Sequence, residues 1–200
     1  MDLQGPTEQS QSKLRAKRRM IRAILAIGGA VLFIAALDGG IWLHNWDPFG
    51  KSMDDVIASD KRNKDVQAEA YYNGWFNRDT IVFNLKDVSG QSSPLDIFRV
   101  LLQFAQSQKD HEYKQVILAA YGEKKFVVPG DYFHQLGVEY STQNPMYTMR
   151  TFPHHVATMK GEHPFPEFEG GMFGVLGKEM EEFKQMNAQW YMNDYREKSK

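Results

Sequence analysis

The chain of 200 residues contains no cysteine. Disulfides, a thiolate nucleophile, cysteine-ligated zinc and a lipid-modified cysteine anchor are therefore excluded. The sequence also lacks G-x-S-x-G, H-E-x-x-H and the G-x4-G-K-[ST] phosphate loop, which removes the local signatures of three large classes of enzyme. No asparagine stands in an N-x-Ser/Thr sequon. Charge is divided unevenly along the chain. Three of the 25 acidic and six of the 24 basic side chains precede His44, leaving 18 basic against 22 acidic from there on. A mildly acidic domain has no electrostatic footprint for nucleic acid, so none is expected as a partner.

The basic stretch stands beside the only long apolar run. Lys13, Arg15, Lys17, Arg18, Arg19 and Arg22 lead into Ala23–Leu37, which has no polar side chain, and the run extends to Leu43 with Asp38 as its one charge. About 20 apolar residues span a bilayer. Arg18, Arg19 and Arg22 would hold the N-terminus in the cytoplasm, and Trp42 and Trp46 would sit at the outer interface. A cleaved signal peptide needs small residues at −3 and −1 of the cut. Ala35-Ala36-Leu37-Asp38 offers no such pair, so the expectation is a retained anchor. Ala26 and Ala30 form a small-xxx-small pair, a candidate seam for a homo-oligomer. The predicted organisation is a basic cytoplasmic tail (1–22), a transmembrane helix (23–43), a linker and helical segment (44–76) and an extracytoplasmic domain (77–200). The lipid bilayer of the inner (cell) membrane is the first expected partner.

In the domain, hydrophobic spacing predicts a mixture of elements. Ser52 reads as the cap of a helix starting near Met53. A second helical stretch, 65–76, places Tyr71 with Trp75 and Tyr72 with Phe76, each four apart. TIVFNLK (80–86) alternates as a strand does. Ser93-Pro94-Leu95-Asp96 carries a cap, a proline at the first helical position and an acid in the first turn, and so begins a helix. QVILAAY (115–121) and KKFVV (124–128) read as strands around a Gly122 turn. A short helix covers 132–140, a fourth strand 146–152, and a long helix 171–196. The expected fold class is α+β, a four-stranded antiparallel sheet packed with helices, in the β-α-β-β-α-β order of the split βαβ, ferredoxin-like motif.

Two clusters could carry function. Alternation along 146–152 puts Thr148 and Arg150 on one face of the predicted strand, where Asn84 and Lys86 of 80–86 would join them as a polar face for a ligand or partner. His154, His155 and His163, with nearby glutamates, supply imidazole and carboxylate ligands of the kind zinc or copper takes, although their spacing follows no metal motif. No cofactor is implied. DVSGQSSP (87–94) reads as a capping loop rather than an anion site. The layout as a whole, with a basic tail, one span and an α+β domain beyond it, resembles the single-pass accessory subunits of bacterial envelope machines such as secretion systems. The retained anchor, the absence of a catalytic signature and the exposed-looking aromatics lead to the expectation of a non-catalytic interaction domain, an accessory subunit with other envelope proteins as partners. The alternative is a membrane-tethered metal-binding protein or enzyme using the three histidines.

Overall fold

A computed structural model describes residues 49–74, 76–88, 92–168 and 172–198. The basic tail, the apolar run, Trp42 and Trp46 lie outside these residues. Among the described residues no helix is long and apolar enough to cross a membrane. All of them fall in the unit Asn45–Lys200.

Five strands form one sheet in the order β1-β2-β3-β4-β5. They are β1 (Val66–Tyr72), β2 (Thr80–Val88), β3 (Gln115–Ala120), β4 (Glu123–Pro129) and β5 (Ala157–Thr158). β1 and β2 run antiparallel, β2 and β3 parallel, and β3, β4 and β5 antiparallel to their neighbours. The parallel pair needs a crossover, which α2 (Pro94–Ser107) supplies. The α+β class stands, while the four-stranded antiparallel sheet is corrected to a five-stranded mixed one. Sequential strand order also departs from the ferredoxin-like arrangement, in which the strands joined by a crossover are not neighbours.

Helix α1 (49–59) begins before the predicted Ser52 cap. Phe49, Met53 and Val56, at i, i+4 and i+7, are buried in the main core. α2 begins as read: Ser93 Oγ accepts from Asp96 N at 3.2 Å, and Asp96 Oδ2 accepts from Ser93 N at 2.9 Å, a reciprocal capping box. The β3–β4 hairpin turns on Tyr121 (φ 54°) and Gly122 (φ 85°), the two positive φ angles of a type I′ turn. Tyr121 adopts this left-handed conformation with its N–H on Leu85 O at 2.7 Å and with Lys198 Nζ 3.8 Å from its ring centroid.

Two elements differ from the sequence reading. Residues 66–72 form a strand, not a helix. Their alanines and glutamate favour a helix locally, but pairing with β2 outweighs that preference. Tyr71 packs against a small cluster of Val82, Ile117 and Ala119, whereas Tyr72 packs on the main core, its ring centroid 4.8 Å from that of Phe49. Successive strand residues point to opposite faces, so the expected four-apart stacking does not arise. Residues 145–151 form a helix, α4 (Pro145–Thr151), not a strand. Asn144 Oδ1 accepts from Met146 N at 2.9 Å and Pro145 takes the first helical position. The Asn-Pro pair that reads as a breaker of the preceding helix is the start signal of this one.

α3 (Gly130–Glu139) follows β4 directly. The chain closes with α5 (Met172–Asn187), a π-helical turn over Ala188–Met192 and α6 (Asn193–Lys198). In the wide π turn the consecutive Trp190 and Tyr191 are both buried. Trp190 donates Nε1 to Ala119 O at 3.1 Å and lies against Phe83, which ties the C-terminal helix to β3. The aromatic C-terminus thus fills the domain's own core.

α2 and α3 approach through Gly137, where an added Cβ would fall 2.3 Å from Ala105 O. Gly137→Ala should destabilise the domain by about 1–3 kcal/mol through overpacking, although alanine is the better helix former by about 1 kcal/mol. Gly174→Ala, with nothing within 4 Å of the new Cβ, should leave stability unchanged or raise it by up to about 1 kcal/mol. Urea unfolding of the two variants measures this opposition of sign, and equal effects would contradict the packing.

Candidate functional site

The three helices α2, α3 and α4 leave a groove of about 470 Å³ between them. α2 contributes Leu95, Phe98 and Leu102 to its lining, α3 contributes Leu136, and α4 contributes Met146 and Met149. Phe98, Leu102, Leu136 and Met149 are buried. Leu95 and Met146 are 53% and 52% exposed, one on α2 and one on α4. Because 145–151 is helical, Met146 and Met149 reach the lining opposite α2.

Charge lines part of this groove. Asp60 caps the 3-10 turn Lys61–Asn63. Arg62 donates Nε to Asp60 Oδ1 at 3.1 Å and to Oδ2 at 3.0 Å. Those hydrogen bonds hold the Asp60 carboxyl well below the usual carboxylate range. Arg99, from α2, donates Nε to Asn63 Oδ1 at 3.0 Å and Nη2 to Asp96 Oδ1 at 2.8 Å, with Asp60 Oδ2 3.7 Å from its Nε. Burial pushes the Asp96 carboxyl up, but hydrogen bonds from Ser93 and Arg99 outweigh it and the net shift is down. The two arginines differ in exposure, not in engagement: the Arg99 side chain is 14% exposed and joins α2 to the turn, whereas that of Arg62 is 69% exposed and gives both Nε and Nη2 to Asp60. Glu139, Tyr140 and Gln143 complete the polar part of the lining. Glu139 Oε1 accepts from Gln135 Nε2 at 3.0 Å.

The predicted polar face is not assembled. Asn84 is 5% exposed on β2, donating to Glu69 Oε1 at 2.9 Å and accepting from Gly122 N at 3.0 Å. Lys86 pairs with Glu69 Oε2 at 3.4 Å. Thr148 and Arg150 ride on α4, outside the sheet. Thr148 lines the groove and its Oγ1 donates to Asn144 O at 3.4 Å. Arg150 lies 3.2 Å from Glu179 Oε2 on α5 and 5.8 Å from the Tyr147 ring centroid. Helical spacing in place of alternation separates the two pairs.

The histidines do not converge either. His154 Nε2 lies 2.9 Å from Glu182 Oε2, His155 stacks on Tyr132 with ring centroids 3.7 Å apart, and His163 is exposed on the following loop. Among the described residues no group of three or more His, Asp or Glu is placed to hold a metal ion. What His154 and Arg150 do instead is pin α5, each on a buried glutamate. Sequence spacing brings out neither those two contacts nor the Asp60–Arg99 link, because every partner comes from a distant segment.

Comparison of the chain with protein-family models, with curated proteins and with solved structures gives no match.

Burial pushes the Glu182 carboxyl above its ordinary 4.5, against the hydrogen bond from His154. The folded chain thus holds this proton more tightly than the unfolded chain. The stability Glu182 adds is complete below about pH 4.5 and is lost as pH rises through the raised value. His155 acts with the opposite sign: burial pushes its imidazole below 6.5, so its contribution is present above that pH and lost on acidification. Glu182→Gln removes one of the two slopes. Its unfolding free energy relative to the unaltered chain should rise as pH is raised from 4.5 to 8. Denaturant titrations across that range test this, and parallel pH profiles would contradict it.

Proposed function

We propose that the chain is a single-pass membrane protein whose α+β domain is a non-catalytic interaction domain, acting as an accessory subunit of an envelope assembly. The observation that carries this reading is the groove between α2, α3 and α4. Its floor is apolar, its lining includes methionine, phenylalanine, tyrosine and arginine, and Leu95 and Met146 remain open to solvent. That is the composition of recognition surfaces, with a hydrophobic centre and a polar rim. The charged groups nearby serve structure: Arg99 fastens α2 to the 60–63 turn, and Arg150 and His154 fasten α5. Sequence supports the anchor, through the basic stretch before Ala23 and an apolar run without a cleavage pair. The N-terminus is then cytoplasmic, the domain extracytoplasmic, and the partners are the bilayer and other envelope proteins. The groove, rather than the sheet face expected around Arg150, is the surface assigned to recognition.

The test is purification of the full chain from its native membrane in detergent, with mass spectrometry of the intact protein and its companions. An intact mass that includes residues 13–43, with stoichiometric partner proteins, is the expected result. A chain that begins between residues 38 and 44 and travels alone would overturn both the anchor and the assembly.

A further inference from the structure

We infer that the outer edge of β1 pairs antiparallel with β1 of a second copy of the chain, centred on Ala70, so that two five-stranded sheets join into one. This pairing is independent of the groove and goes beyond the interaction reading above.

The two edge strands of the sheet, β1 and β5, are unlike. β5 is two residues long, and shortness of that kind blunts an edge. β1 is seven residues long and holds neither proline nor lysine, the residues that commonly block pairing at an edge. Asn73 donates its N–H to Thr80 O at 2.8 Å, which makes these two a hydrogen-bonded pair of the β1–β2 ladder. Alternation then turns the backbone groups of Glu69 and Tyr71 toward β2, and those of Ala68, Ala70 and Tyr72 away from it. Among the described residues Ala68 and Ala70 make no further backbone hydrogen bond outside the sheet. Tyr72 O accepts from Gly74 N at 2.8 Å and has a second lone pair. Gln67 is exposed, and Ala68, Glu69 and Tyr71 are half-buried.

The sequence of the strand selects a second copy as the occupant. Pairing β1 with itself about Ala70 sets Ala70 opposite Ala70, Ala68 opposite Tyr72 and Glu69 opposite Tyr71. The residues whose backbone groups point outward then face one another, giving about six new hydrogen bonds. On the core side a small residue, Ala68, meets a large one, Tyr72. On the other face each Glu69 carboxylate meets a tyrosine, a neutral partner. Pairing centred on Glu69 would overlap the strands more fully, but it sets the only charge of the strand against its own copy, and like charges directly opposite are unfavourable.

The chain has no cysteine, so introduced cysteines report single contacts. Two differently tagged full-length chains, one with Glu69→Cys and one with Tyr71→Cys, are expressed together in the native membrane and mildly oxidised. Directly opposite residues outside the hydrogen-bonded positions lie about 4.5 Å apart at Cα, within disulfide reach. The expected result is a mixed 69–71 dimer at several-fold higher yield than the 69–69 or 71–71 dimers. Ala68→Pro in both chains removes an N–H that points away from β2, a place where an edge strand tolerates proline. It should lower the mixed yield about tenfold, the effect of losing one hydrogen bond per copy, with an unchanged urea midpoint. The pattern of cysteine pairs decides the register even if the proline variant fails to fold. Equal yields from all three pairs would show random collision and overturn the pairing. A yield concentrated in 69–69 would overturn the centre on Ala70, and a mixed yield indifferent to a folded Ala68→Pro variant would overturn the backbone ladder.

Discussion

The charged rim of the groove depends on Arg99. Its side chain is 14% exposed, and a charge so far removed from water is costly unless it is paired and hydrogen-bonded. Here it is met by Asp96 on its own helix, by Asn63 from the turn before β1, and at longer range by Asp60. Those contacts bring the 60–63 turn to the first part of α2. They orient Asp60, which in turn holds Arg62 beside the groove. Removal of Arg99 would deprive Asp96 of its cation and Asn63 of its donor, while Asp60 would keep Arg62. The apolar floor packs independently of this link, but the placement of charge around it does not.

Two further constraints give the groove its remaining walls. Gly137 lets α3 approach α2 to backbone contact, and Asn144 with Pro145 starts α4 after the short 140–144 connection. α4 is then kept against α5 by the ion pair of Arg150 with Glu179, and the 152–155 turn that follows it by His154 Nε2 at 2.9 Å from Glu182 Oε2, both glutamates being buried. The C-terminal helix is in its turn fastened to the sheet by Trp190 on the carbonyl of Ala119. Arg150 and His154, which the sequence offers for a ligand face and a metal cluster, instead hold α5 in place.

Much of this architecture was legible in the sequence, for physical reasons that can be named. β2, α2, β3 and β4 follow from alternation, a capping box and a hairpin turn, signals that are local and strong. β1 was misread because Ala68, Glu69 and Ala70 are good helix formers, and only the antiparallel partner Phe83–Leu85 makes them a strand. α4 is hard to read because Asn-Pro, a familiar helix breaker, here serves as the N-cap and first position of a new helix. That single misreading moved Thr148 and Arg150 from a helix to a sheet face and removed the groove from view. Arg62 and Arg99 carried no signal of their own, since an arginine beside an aspartate is common on any surface. Their importance comes from the burial of one and the exposure of the other.

The central claim is that the groove is occupied where the protein works. Met146 and Met159 provide an internal comparison, because they are similarly exposed, at 52% and 46%, and only Met146 lines the groove. Peroxide converts exposed methionine to sulfoxide, and peptide mass spectrometry reads each position separately. In the isolated chain the two should oxidise at similar rates. In native membranes Met146 should oxidise several-fold more slowly than Met159, because a partner covers it. Equal rates in both settings would show an unoccupied groove and contradict the account.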